Sequence, residues 1–259
     1  MECLVINPYR IMKAVVLIPS RLNSTRLPGK ALLDIGGLPM VVRVFKQAEK
    51  CMDIADVYVC TDSDEISKVV KSFGGKVIMT SRNHQNGTTR IAEAKSFLPS
   101  YDLYVDVQGD EPFINPEHIT EVIKCHVSYK PDIVLPVLSI NETKDSDVKV
   151  VTDISGRVLY LSRSKIPFHY VRNSEYLKHL SIISFSPNAL DKYASLPMSN
   201  LESIEGVELL RAVENGMHIQ TVKLVGDSFS IDTKLDYERA LIRVGEINYS
   251  NIPSQVIEK

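Results

Sequence analysis

The five residues AVVLI at 14–18 carry no polar side chain, and the twelve that follow, PSRLNSTRLPGK at 19–30, are mostly polar and hold three cations. A strand apolar on both faces must be covered on both sides, which is the situation of a central parallel strand between helical layers. Similar runs recur at ADVYVCTD (55–62), KVIMT (76–80), YDLYVDVQGDEP (101–112) and DIVLPVLSI (132–140). Helical patterns separate them. Pro39 opens MVVRVFKQAEKC, where Val41, Val44, Phe45 and Ala48 share one face. Ser63 caps SDEISKVVKSF, with acids in the first turn and Gly74-Gly75 at the end. TRIAEAKSFL and the stretch from Pro116 to about Tyr129 complete the alternation. Strand–helix repetition at this spacing predicts a doubly wound α/β sheet with mainly parallel strands.

The rhythm changes after about residue 148. VKVVTDISGRVLYLSRS has β-rich halves about Ser155-Gly156 and predicts a hairpin. PFHYVRNSEYLK (167–178) reads as a loop, and HLSIISF (179–185) as a strand. ALDKYASL and EGVELLRAVENG read as helices, IQTVKLV as a late strand, and TKLDYERALIRVGEI as a closing amphipathic helix.

Composition excludes several classes. The chain of 259 residues is 44% hydrophobic and 24% charged, with a net charge of -2, which gives no support for binding nucleic acid or a membrane surface. No apolar run approaches the ~20 residues that span a bilayer. Cys3, Cys51, Cys60 and Cys125 have no metal-ligand spacing, and the last three sit in apolar segments, as expected of a protein in a reducing cytoplasm. Residues 1–12 read as a possible N-terminal extension and 251–259 as a tail.

The cations of the first loop are therefore local. Arg21, Arg26 and Lys30, with Gly29 beside the lysine, stand at the C-terminal end of a buried strand, where open α/β sheets bind ligands. They suit a polyphosphate, with an ordinary basic surface loop as the alternative. A Walker loop fails twice, because Ser24 occupies its first glycine position and Ala31 follows the lysine in place of a hydroxyl.

Two further groups carry chemistry. Asp106, Asp110 and Glu111 cluster at the end of the fourth strand, where Asp110 could bind a hard cation or serve turn chemistry. Asp232 precedes a helix whose N-terminus either it or Thr233 could cap. HQNGTTR (84–90) supplies amide and hydroxyl donors before a helix, suited to a base or ribose or simply to helix entry.

The succession LIPSRLNSTRLPGKALLDIGGLPM, VYVCTDSDEI, GGKVIMTSRNHQNGTTR and VDVQGDEPFI resembles the 3-deoxy-manno-octulosonate cytidylyltransferase (CMP-Kdo synthetase) family. The resemblance continues through VKVV, LYLSRSKIPF, KHL and SIDT, from residue 13 to about 245. It implies a three-layer, Rossmann-like nucleotidyltransferase with a β-rich sugar-binding and dimerisation region. One domain would span 13–250, with 13–150 mainly for CTP and 151–232 for the sugar and the dimer contact, the latter on 157–186. The implied partners are CTP, an acidic sugar and a second copy of the chain. The implied reaction transfers CMP to the anomeric hydroxyl of a 2-keto sugar acid, Kdo above others, with release of pyrophosphate, for lipopolysaccharide or capsule synthesis.

By the same resemblance Arg21 and Lys30 clamp the triphosphate, Arg26 adds a phosphate contact, and Asp110 and Asp232 hold Mg2+. That ion would bridge phosphate and sugar acid and lower the pKa of the attacking hydroxyl. Gln108 matches a residue near cytosine, Gly87 and Arg90 match the nucleotide loop, and Arg163, His179 and Glu208 face the sugar acid. The chain departs from the family pattern at several points. HQSGTER has become HQNGTTR, KHLG[IV]Y has become KHLSII with Ser181 and Ile183, and ExLEQLR has become EGVELLR with Leu209. A changed sugar wall could select another acid, such as an amino-substituted octulosonate or a nonulosonate, or the changes could be packing drift. A regulatory homologue without turnover is the remaining alternative, against which Lys30, Asp110 and Asp232 together argue.

Overall fold

The computed structural model describes residues 12–22, 24, 27–170 and 174–245. Arg26, the segment 1–11 and the tail 251–259 lie outside the described residues. Four parallel strands form the first half of the sheet, in the order β3 (Lys76–Met79), β2 (Ile54–Thr61), β1 (Ala14–Ser20) and β4 (Leu103–Val107). β1 is buried along its whole length. Its Val15 and Leu17 join one apolar cluster, and Ala14, Val16 and Ile18 join another, as the period-2 alternation of a strand requires. The first cluster takes residues of α3 (Gly87–Lys95), α5 (Pro187–Ser195) and α7 (Leu210–Glu214). The second takes those of α1 (Met40–Ala48), α2 (Asp64–Ser72) and α4 (Pro116–Tyr129). The sheet is thus covered on both faces, and the expected three-layer α/β architecture is borne out.

Beyond β4 the pairing turns antiparallel. β8 (Tyr176–His179) and β9 (Ile182–Phe185) are two parts of one strand, broken at Leu180-Ser181. β5 (Ile133–Ile140) pairs antiparallel with both parts, β4 pairs with β9, and β6 (Lys149–Thr152) pairs with β8. β7 (Val158–Ser162) closes the expected hairpin with β6 around Ser155-Gly156, and β10 (Ile219–Leu224) runs parallel to β5. The break admits the chain leaving β4, because Gln108 N donates to Ser181 O at 3.0 Å.

Two expectations need correction. The polar stretch 167–178 is not loop throughout, since β8 begins at Tyr176, where pairing with β5 and β6 overrides weak local propensity. EGVELLRAVENG is not one helix: α6 (Asn200–Glu205) ends at Gly206 with φ 62°, and α7 starts only at Leu210. The unforeseen α6 opens with a Ser199/Glu202 capping box. The closing helix is α8 (Lys234–Arg243).

Candidate active site

β1 and β4 are parallel, so the chain leaves both at one edge of the sheet. β5 runs with β4 because both oppose β9, and β10 runs with β5, so the segment carrying Asp232 leaves at that edge too. After β1 the chain turns through Gly29, at φ 67°, into a short 3-10 turn that begins with Lys30. The Lys30 ammonium donates to Asp110 Oδ2 at 2.8 Å, Asp232 Oδ1 at 3.1 Å and Ile231 O at 3.0 Å. Burial works against its charge, but the two carboxylates outweigh burial and hold its pKa above the ordinary lysine value. Thr233, in a capping box with Asp236, caps α8, so Asp232 is not needed as the cap. The two acidic segments are tied directly, by Ile231 N to Asp110 O at 2.9 Å and by Ser228 Oγ to Glu111 Oε1 at 3.1 Å.

A cleft of about 210 Å³ opens over this cluster, lined among others by Arg21, Lys30, Gly87, Gln108, Asp110 and Asp232. Arg21 is exposed at its mouth. Gly87 is required by close approach, since a Cβ there would lie 2.9 Å from Gln108 Nε2 and 3.0 Å from Pro19. Gln108 Nε2 donates to both oxygens of Asp106, at 3.1 and 3.0 Å, which leaves its carbonyl oxygen as an acceptor for a ligand. Asp106 is fully buried, and burial followed by the neighbouring Glu208 carboxylate pushes its pKa well above the usual range. Arg90 reaches the lining but is only 4% exposed. It donates to Thr80 Oγ1 at 2.7 Å and pairs with Asp62 at 3.1 Å, so it braces the loop from beneath. Asp62 therefore pairs with Arg90, and Ser63 supplies the cap on α2. The cleft also takes His84, in contact with Glu93, and Asn86, the N-cap of α3. Both lie within HQNGTTR, where the sequence alone does not mark them as site residues.

A family model for cytidylyltransferases matches residues 15–219. The 3-deoxy-manno-octulosonate cytidylyltransferase of Pelodictyon phaeoclathratiforme is 42% identical over 245 residues, covering 90% of this chain and 98% of the relative. That of Escherichia coli is 38% identical, covering 89% and 96%. The chain belongs to the 3-deoxy-manno-octulosonate cytidylyltransferase family. A solved structure of CMP:2-keto-3-deoxy-manno-octonic acid synthetase complexed with CTP superposes with a TM-score of 0.84 at 36% identity, covering 91% of this cytidylyltransferase and 100% of the other chain.

Arg163, His179 and Glu208 of this cytidylyltransferase do not line the cleft itself. Arg163 donates to Ser146 O at 2.8 Å and Gly206 O at 3.2 Å, fastening β7 to the end of α6. Lys149, buried beneath it, donates to Asp147 O and Arg163 O. His179 is pushed down to about 4 by burial, with Lys178 and Arg163 adding to the effect. His179 Nε2 and Glu208 Oε2 are buried without a hydrogen-bond partner, which is costly unless a ligand supplies one. Of the departures from the family pattern, Ile183 and Leu209 are each 1% exposed within the apolar core. Two departures meet a charged group: Asn86 Nδ2 donates to Glu202 Oε1 at 3.5 Å, and Ser181 meets the buried Glu111, whose pKa is raised by burial against the opposing hydrogen bond from Ser181.

Among the described residues no group of three or more His, Cys, Asp or Glu could hold a metal ion, and no helix is long and apolar enough to cross a membrane. Asp110 and Asp232 nevertheless fit a magnesium ion, which usually takes one or two protein carboxylates and fills its shell with phosphate and water. They come from separate loops, converge on one cation and supply only oxygen.

Proposed function

We propose that this cytidylyltransferase transfers CMP from CTP to the anomeric hydroxyl of 3-deoxy-manno-octulosonate and releases pyrophosphate. The observation that carries the reading is the convergence of Lys30, Asp110 and Asp232 at the sheet edge beneath the cleft. The anomeric oxygen forms a bond to the α-phosphorus as the bond from that phosphorus to the bridging oxygen breaks. The hydroxyl gives its proton to water, and the electron pair of the broken bond departs with pyrophosphate. Such a step depends on alignment and charge neutralisation rather than on covalent catalysis. Lys30 would neutralise the α-phosphate, with Arg21 clamping the outer phosphates and Arg26 assisting. Asp110 and Asp232 would hold Mg2+, which when bound lowers the pKa of the attacking hydroxyl.

Gly87 lets the nucleotide approach α3, Gln108 offers its carbonyl to the cytosine amino group, and Arg90 supports the loop. Arg163, His179 and Glu208 form the sugar wall, a role supported by the two unpartnered buried atoms on His179 and Glu208. The core positions of Ile183 and Leu209 favour packing drift over a redefined substrate. We assign 13–150 mainly to CTP and 151–232 to the sugar and a dimer contact. Exposed Leu159, Phe168 and Tyr170 favour 157–186 as that contact, and sedimentation equilibrium of the wild type against Phe168→Asp tests it. A cytoplasmic enzyme supplying lipopolysaccharide or capsule synthesis fits these assignments.

Pyrophosphate release with magnesium, CTP and a panel of 2-keto sugar acids tests the reaction, with UTP and ATP as nucleotide controls. Release with CTP and Kdo is expected. Release only with an amino-substituted octulosonate or a nonulosonate would replace the substrate. Tight CTP binding without release from any acid would sink the enzymatic reading.

A further inference from the structure

Asn86 stands where the family motif has serine, and both ends of its amide are engaged. Its Oδ1 accepts from Thr89 N at 2.9 Å and caps α3. Its Nδ2 donates to Tyr193 Oη at 3.0 Å, across 107 residues. The Tyr193 hydroxyl in turn donates to Glu208 O at 3.1 Å. A phenol has one proton, so the order of donation from Asn86 through Tyr193 to Glu208 is fixed.

The intermediate is rigid. Tyr193 is 0% exposed, and the Arg211 guanidinium lies 4.8 Å from its ring centroid. Arg211 is itself held by Glu202 through two bonds of 2.7 Å. Two residues beyond Asn86, buried Thr88 stands beside the Glu208 carboxyl and opposes the rise in pKa that burial causes. The N-cap of α3 therefore reaches the backbone of residue 208 through Tyr193, with Thr88 of the same helix beside its carboxyl. Serine at position 86 would keep the helix cap but has no amide nitrogen to reach Tyr193.

We propose that Asn86 is a positioning residue for the sugar acid: by way of Tyr193 it fixes Glu208, and it links the nucleotide cleft it lines to the sugar wall. The proposal rests on the reading that Glu208 faces the sugar acid. Steady-state pyrophosphate release by the wild type, Asn86→Ser, Tyr193→Phe and the double variant tests it. Each single change should raise the KM for the sugar acid about fivefold, the worth of one net hydrogen bond, and leave the KM for CTP within about twofold. The double variant should be no worse than the poorer single, because both remove one link. Thermal unfolding of the four proteins should give the same non-additive cycle. An unchanged sugar KM in both singles, or additive effects in the double, would overturn the tether while the wild-type reaction stands. No release from the wild type with any acid would instead overturn the reaction reading, and this proposal with it.

Discussion

The Nζ of Lys30 lies 2.8 Å from Oδ2 of Asp110, although 80 residues separate them in the chain. The same ammonium reaches Asp232, so a single cation holds two carboxylates together at the floor of the cleft. That arrangement neutralises the acids and ties two loops together, and the proposed function adds a third role, receiving a phosphate. Removing the lysine therefore costs more than one phosphate contact.

Lys30→Met is expected to lower kcat for pyrophosphate release by at least about 10²-fold, the usual loss when one preorganised electrostatic group is deleted. Asp110→Asn should abolish nearly all turnover while CTP still binds, as read by calorimetry. Wild-type rates in Asp110→Asn would remove the proposed metal role.

Leu209→Gln restores the residue expected from the family pattern but buries an amide in the core, where Leu209 is 1% exposed. The change should destabilise the fold by roughly 1–3 kcal/mol, measured by urea unfolding, and leave the preference among sugar acids unaltered. A shift in that preference would return Leu209 to the sugar wall.

Arg211 and Glu202 form a buried bidentate pair, 2% and 5% exposed. Arg211→Met leaves the Glu202 charge without its partner and should cost about 3–5 kcal/mol of stability in chemical denaturation. Loss of less than about 1 kcal/mol would mean that Glu202 finds another partner or takes up a proton.

His126 is 4% exposed, and burial pushes it down to about 4 from an ordinary 6.5, against weaker opposing effects of the Pro131 backbone and then Asp132. The folded protein therefore binds fewer protons than the unfolded chain between those values. The contribution, about 3 kcal/mol, is fully present above pH 6.5 and is lost as pH falls toward 4. His126→Gln should flatten the stability profile across that window, followed by denaturation midpoints. A profile as steep as the wild type's would assign the acid sensitivity to other groups.

The parallel half of the fold was legible because its strands and helices carry their own signals. Pro116 opens α4 and Ser63 caps α2 as expected from sequence. The β8–β9 break was not legible, since it is set by what pairs alongside rather than by residues 176–185 themselves. Lys30, Asp110 and Asp232 were each identifiable by residue type and resemblance, but their convergence depends on a topology that periodicity does not encode. Arg90 adds what residue type does not tell: a cation in a nucleotide loop reads as a ligand group, and the fold both sets it in the cleft lining and ties it to Thr80. Asn86 stands out in the sequence only as a departure, because a capping residue gives no hint that its other end crosses to Tyr193.

The break at Leu180-Ser181 also imposes an order on manufacture. Gln108 N donates to Ser181 O, and Lys30 engages Asp232 across 202 residues. A chain emerging from the ribosome can form the parallel strands β1 to β4 early. The acidic loop gains its anchor only after residue 181 has been made, and the lysine its second carboxylate only after residue 232. A fragment that stops short of either point lacks the Gln108–Ser181 anchor or the second carboxylate on Lys30, so the cluster beneath the cleft is the last part of the edge to be completed.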